Sequence, residues 1–202
     1  MSRHRPTANT IALALAMAAS CSVASPIAAE SWRSDPTYLA WKASSSAAEK
    51  NVEAVEFLLK KQARDCADFP HDGETPFVTI KAENLVDIKI TAEGDVATLV
   101  SEGMHCSEGG HIWSGSAGSV NYLIVEGRIF TTGLTHPPFT VEHTGRFWIV
   151  VPHHGSACES SQKNFEPYGY QVCFPSMTWD SEYKMFIGHV NLFHEMGYDD
   201  FH

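Results

Sequence analysis

Recognisable catalytic signatures are what this sequence lacks most plainly. G-x-S-x-G is absent, so Ser114, Ser116 and Ser119 have no strand–turn–helix elbow to activate them. The Gly/Ser stretch around them lacks the Lys and the following helix of a phosphate-binding loop. No two cysteines form a C-x-x-C pair, which argues against a zinc knuckle or a thioredoxin-type redox site. His189 and His194 lie five apart with Glu195 after the second, whereas a zincin helix needs a spacing of four with the Glu beside the first. No pair of Asp and Glu can be placed at glycosidase distance from the sequence alone. Cations are scarce too: 14 Lys and Arg against 24 Asp and Glu leave a net charge of −10. A surface that neutralises phosphates needs clustered Lys and Arg, so nucleic acid and anionic membrane surfaces are poor partners.

Long apolar runs are missing as well, with one short exception near the start. Ile11–Ala19 is an apolar run of nine residues, far below the roughly 20 that span a bilayer. Arg3 and Arg5 precede it, and small residues follow as far as Ala28-Ala29. These are the three parts of a secretory signal, with cleavage expected before Glu30. Lipidation at Cys21 fits less well, because Ala18-Ala19-Ser20 lacks the usual large aliphatic residue three places before it. The expected organisation is a signal peptide over residues 1–29 and one mature domain over 30–202. Export places the domain in a periplasm or outside the cell, with no membrane-spanning segment after signal removal.

Four cysteines remain after residue 29: Cys66, Cys106, Cys158 and Cys173. An even number in an exported chain reads as disulfides, and four cysteines allow three pairings. Nearest-neighbour order, Cys66–Cys106 with Cys158–Cys173, is the expectation. The first bond would fasten a helix to a sheet, and the second would close a polar excursion.

Residues 30–66 form the helical segment of the expected domain. Residues 30–45 read as polar and irregular, with Trp32, Tyr38 and Trp41 as packing anchors. Ser46-Ala-Ala-Glu49 has the form of a capping box. Val52, Val55, Leu59, Ala63 and Cys66 then recur at steps of three and four, predicting a helix over about 47–65. Residues 67–188 change to a period of two. Hairpins are predicted from Val86, Ile88 and Ile90 to Val96–Val100, from Asn121–Val125 to Arg128–Thr132 across Glu126-Gly127, and from Phe139–Glu142 to Arg146–Val151. Further strands are expected at Tyr170–Phe174, Ser176–Trp179 and Tyr183–Ile187. Gly109–Ser119 reads as a long loop whose exposed Trp113 is a candidate ligand contact. The tail, 189–202, reads as a short helix. The fold class is α+β: one N-terminal amphipathic helix packed on a mainly antiparallel sheet, sandwich or small barrel.

His153 and His154 are the metal candidates, since neutral imidazole suits zinc or copper. Neighbouring strand residues point to opposite faces, however, so the pair cannot chelate one ion without a bend. Cys158 is better used in a disulfide than as a thiolate. No cofactor is implied.

Over about residues 106–186 the chain resembles a family of small exported Gram-negative proteins of unassigned function. The resemblance rests on Gly115-Ser-Ala-Gly118, His154-Gly155-x-x-Cys158, Cys173 and Trp179-Asp180. It implies a fold more than an activity. Members often carry a calcium-type D-x-N-x-D-G-x-x-D loop, which Lys81–Asp87 does not match. With export, disulfides and no catalytic set, the expected function is non-enzymatic: an envelope module binding a protein or cell-wall ligand. The alternative is a periplasmic hydrolase with a histidine-centred or metal site.

Overall fold

The computed structural model describes residues 28–46, 49–102, 104–110, 112–115, 118–154, 172–188 and 194–197. Residues 1–27 of the expected signal peptide, 1–29, lie outside them, as does Cys158.

The segment expected to be irregular is helical. A 3-10 turn, Ala28–Ser34, leads into α1 (Pro36–Ser44). Asp35 is the reason. Its Oδ1 accepts the backbone N–H groups of Thr37 (2.8 Å) and Tyr38 (3.4 Å), two donors that a helix start leaves without partners. Pro36 follows at the first helical position, where its fixed φ suits a helix and its missing N–H costs nothing. Such a cap contributes about 1 kcal/mol. Trp32, Tyr38 and Trp41 are all buried, with Trp32 edge-on to Tyr38 at 5.1 Å. The domain therefore has two α-helices at this end rather than one.

The second helix, α2 (Glu49–Ala67), buries Val55, Leu59, Ala63 and Cys66, and leaves Val52 half-buried. Residues 47 and 48 lie outside the described residues, and with them the proposed capping box. Two polar residues share the buried stripe, Asn51 and Gln62. Asn51 is there for the sheet: its Nδ2 donates to Ile124 O (3.0 Å) and its Oδ1 accepts from Gly127 N (2.8 Å).

Among the described residues fourteen strands follow, all paired antiparallel. They begin with β1 (Val78–Thr79), β2 (Leu85–Lys89), β3 (Val96–Ser101) and β4 (His105–Cys106). Next come β5 (Ser114–Gly115), β6 (Gly118–Val125), β7 (Arg128–Thr135), β8 (Phe139–His143) and β9 (Arg146–Val150). The series ends with β10 (His153–His154), β11 (Val172–Cys173), β12 (Ser176–Asp180), β13 (Met185–Gly188) and β14 (His194–Met196). The larger sheet runs β14-β7-β6-β3-β2 with β5 added on β6, and a four-stranded sheet runs β13-β12-β9-β8. Strands β1 with β4, and β10 with β11, form two small ladders.

The three predicted hairpins are β2–β3, β6–β7 and β8–β9. Glu126 and Gly127, at φ 52° and 80°, give the two left-handed residues of a type I′ turn. Gly127 is required twice over, because a Cβ there would stand 2.9 Å from Lys50 Cβ on α2. Thr144 and Gly145 repeat the turn at φ 52° and 75°. Part of the expected Gly/Ser loop is strand: Ser114 and Gly115 pair with Ser119 and Gly118. The expected tail helix is replaced at 194–196 by β14, which takes the free edge of β7. Arg128 fastens it there, its guanidinium gripping both carboxylate oxygens of Glu195. Beyond it, Tyr183 and Lys184 belong to the turn before β13 rather than to the strand.

The larger sheet has apolar side chains on both faces. One face meets the helices, where Leu58, Leu59, Val100, Tyr122, Ile124 and Ile129 share a core. The other meets the four-stranded sheet, where Leu99, Leu123 and Phe130 pack with Ile149, Met177 and Trp179. Cys66 and Cys106 form a disulfide with Cα atoms 5.6 Å apart, joining the end of α2 to β4. Cys173 is disulfide-bonded as well; its expected partner, Cys158, is outside the described residues.

Candidate functional site

The two candidate metal ligands sit on β10, whose register sets His153 opposite Cys173 and His154 opposite Val172. The strand is held to the end of β7 by His136 N donating to Pro152 O at 3.0 Å. Both histidines are half-buried, and they alternate across the ladder as extended residues must. Burial pushes the His153 pKa down and keeps its ring neutral. Its Nε2 is buried with no hydrogen-bond partner. Among the described residues, no three of His, Cys, Asp and Glu come together as a metal site.

Trp113 does not have the exposed position expected of it. It is half-buried and packs with Ile112 against the helix-side core. A Gly/Ser-rich composition suggested solvent, but β5 folds back on β6 and draws the ring inward.

A buried polar cluster under α2 had no counterpart in the sequence reading. Glu102 is 5% exposed and follows β3. Its Oε1 accepts a 2.7 Å hydrogen bond from the Tyr122 hydroxyl, and Lys61 Nζ lies 3.9 Å away. Gln62 lies against the same carboxylate, yet neither atom of its amide makes a hydrogen bond. Burial raises the Glu102 pKa above its ordinary 4.5, with Tyr122 and Lys61 pulling the other way and Asp65 adding to the rise. Burial and the nearby carboxylate raise Tyr122 as well. The folded state thus binds the Glu102 proton more tightly than the unfolded chain does. That contribution to stability is full below the unfolded pKa and is lost as pH climbs through the folded one. Glu102→Gln keeps an acceptor for Tyr122 and removes the charge. Urea titration should find the variant more stable than wild type by about 1 kcal/mol at pH 7, with no gain below pH ~4. An equal gain at both pH values would show that packing, not ionisation, is responsible.

A second buried network lies on the opposite face of the sheet. Asn121 Nδ2 donates to Ser119 O, Thr135 O and Thr135 Oγ1 at 2.9–3.0 Å. Thr132 and Thr135 share a 2.9 Å hydroxyl contact. This network holds the irregularity between Val120 and Tyr122 in β6, and its donors and acceptors are mostly spent on one another.

Two clefts are more open. One, of about 400 Å³, separates α1 from β2 and contains Trp41, Ser45 and Asp87. Its carboxylate is already committed, accepting from Trp41 Nε1 (3.0 Å), Ser45 Oγ (2.5 Å) and Thr98 Oγ1 (2.9 Å). The other, about 300 Å³, has Asp95, Glu126 and the edge of Trp179 in its wall. Neither lining includes a histidine or a cysteine.

The most distinctive surface is the outer face of the four-stranded sheet. Register fixes which residues share it. Phe139 pairs with Val150, and Val150 with Ser176; Val141 pairs with Trp148, and Thr178 with Ile187. Ile149, Met177, Trp179 and Phe186 point to the core, so Phe139, Val141, Trp148, Val150, Met185 and Ile187 point outward. Phe139, Val141, Met185 and Ile187 are 44%, 43%, 47% and 45% exposed. Trp148 and Val150 are half-buried between them. The ionisable residues of these outward rows, His143, Arg146 and Asp180, stand at one end of the strands.

The sequence did carry a signal for this face. A strand with one wet side alternates, whereas one apolar on both sides reads as a continuous run. Strand β9 reads Phe147-Trp148-Ile149-Val150 without a polar residue. One side of that run is the core; the other is this face. The chain matches no family model, no curated protein and no solved structure at significant similarity.

Proposed function

We propose that this is an exported envelope protein acting as a binding module: a helix-backed β-sandwich that docks its ligand on the outer face of the four-stranded sheet. One observation carries the reading, the exposed Phe139 and Val141 beside Trp148, with exposed Met185 and Ile187 on the far edge of the same face. Single exposed apolar side chains are ordinary, but grouped apolar side chains on one face mark an interaction site. Phe139, Val141, Trp148 and Val150 form such a group on the adjacent β8 and β9, with Met185 and Ile187 beyond the polar row Ser176, Thr178 and Asp180 of β12. The Cys66–Cys106 disulfide is compatible with an oxidising compartment, as the N-terminal signal pattern requires. Among the described residues, no helix is long and apolar enough to cross a membrane. The hydrolase alternative would draw on half-buried His153, but its cross-strand partner Cys173 is disulfide-bonded, and among the described residues no three of His, Cys, Asp and Glu come together.

Two measurements test the proposal together. N-terminal sequencing of the exported form should place the start of the mature chain near Glu30. That form should then co-sediment with isolated cell envelopes. Val141→Ser with Ile187→Thr should lower retention about tenfold while changing stability by less than about 1 kcal/mol, because both side chains are exposed. Retention that ignores these substitutions would remove the face from consideration, and no retention at all would remove the binding role.

A further inference from the structure

We infer that the ligand of the outer sheet face is an uncharged polysaccharide chain, lying across Phe139 and Trp148 with its hydroxyls toward Ser176 and Thr178. This rests on the binding-module reading and narrows it.

The size of the patch is the first argument. Phe139, Val141, Met185 and Ile187 expose 43–47% of their surfaces, on the order of 300 Å² together for side chains of this size. A stable protein–protein interface takes roughly 800 Å² from each partner, of which about 60% is apolar, or roughly 500 Å². Stacking two copies face to face would fall well short of that. It would also bring together two chains that each carry a net charge of −10.

Charge is the second argument. Arg146 is the one Lys or Arg on the outward rows of the sheet, at the β8–β9 turn end beside His143. Asp180 stands at the same end of the sheet, because β12 runs antiparallel to β9 with Ser176 opposite Val150, and its Oδ1 accepts the N–H groups of Glu182 and Tyr183 at 2.9 Å. The centre of the face carries no charge, so nothing there would hold an acidic polymer against the repulsion of an acidic protein.

The third argument concerns hydrogen bonds. Strand β9 pairs with β8 along its length and β12 with β13 from Met177 to Asp180, while β9 and β12 join at Val150–Ser176 and Ile149–Met177. A peptide laid across the face, away from the open edges of β8 and β13, would meet few main-chain partners, and each desolvated amide left unpaired costs about 1–3 kcal/mol. A pyranose chain does not meet this penalty. Its ring faces are C–H surfaces that suit the electron-rich faces of Trp and Phe. Its hydroxyls lie around the rim, where water, Ser176 and Thr178 can reach them.

Titration of the mature protein with N-acetylglucosamine and β-1,4-glucose hexamers, read by tryptophan fluorescence and by retardation in polysaccharide-containing native gels, is the test. Binding is expected in the micromolar to millimolar range for at least one of them. Trp148→Ala should weaken it at least tenfold, and Trp148→Phe less. Leu134→Ser, at an exposed site on β7, should leave it unchanged. Should Trp148→Ala fail to fold, Val141→Ser with Ile187→Thr gives the same readout at exposed positions. Absence of binding to both hexamers at 10 mM, or binding indifferent to the face variants, overturns the inference. Face-dependent envelope retention that is abolished by protease treatment of the envelopes, and not by the hexamers, would assign the face to a protein ligand. That outcome rejects the polysaccharide and leaves the binding module standing.

Discussion

Removing the Cys66–Cys106 bond as the double variant Cys66→Ala, Cys106→Ala should cost about 4 kcal/mol of folding stability. The bond closes a segment with a sequence separation of 40, and in the chain-entropy model a loop of that size stabilises by about 4 kcal/mol through the unfolded state. The native side of the account points the same way. Both cysteines are fully buried in the core shared by the helices and the sheet. Cys106 stands opposite Val78 in the short β1–β4 ladder, which has only two residue pairs to hold it in place. Without the bond, that ladder and the last turn of α2 lose their covalent connection, and no long strand pairing replaces it. For a domain of this size the melting temperature should fall by roughly 10 °C. Equilibrium unfolding of wild type with and without a thiol reductant, beside the double variant, gives the number. A loss below about 1 kcal/mol would mean that the surrounding core fixes the geometry by itself.

How much of this molecule could be read from residues alone depended on the range of the interaction involved. Turn chemistry is local, so Glu126-Gly127 and Gly145 announced their hairpins. The α2 stripe is local too, since Val55, Leu59, Ala63 and Cys66 repeat at helical spacing. The helix α1 was equally local in origin, because Asp35-Pro36 is a cap followed by a favoured first residue. The polar composition around it masks that signal. Other features have no local signal. Asn51 lies in a buried stripe because it meets a turn 76 residues away, and Glu102 is buried because Tyr122 donates to it from the adjacent strand. The inward packing of Trp113 depends on β5 finding β6, and a Gly/Ser-rich sequence hides that pairing. The tail at 194–196 became a strand because β7 offered an unpaired edge, a property of the assembled sheet. The candidate face stands between these cases. The unbroken apolar run of β9 indicates two dry sides, but only the assembled sheet shows that one side lies against the protein and the other does not.

That distinction makes the two tryptophans of the four-stranded sheet a sharp comparison. Trp179, on β12, is 6% exposed and points to the core. Its ring meets Phe130 edge-on at 5.9 Å and Phe186 at 4.9 Å, and those two rings meet each other at 5.0 Å. Phe130 belongs to the larger sheet and the other two to the smaller, so this ring cluster is a main attachment between the layers. Truncating a buried Trp to Ala costs about 3–5 kcal/mol from lost transfer energy and the cavity left behind. Edge-to-face ring pairs add about 0.5–1.5 kcal/mol beyond their area. Trp179→Ala should therefore lose about 4 kcal/mol, a large share of the 5–15 kcal/mol that holds a typical domain together. Trp148→Ala, on the opposite face of the same sheet, should lose only about 1 kcal/mol and show its main effect in ligand binding. Hydrogen exchange adds a spatial readout: in Trp179→Ala, amides of β8, β9, β12 and β13 should lose protection before those of β3, β6 and β7. Equal stability losses for the two variants would contradict the inward and outward assignment of the faces, and with it the surface on which a ligand is expected to dock.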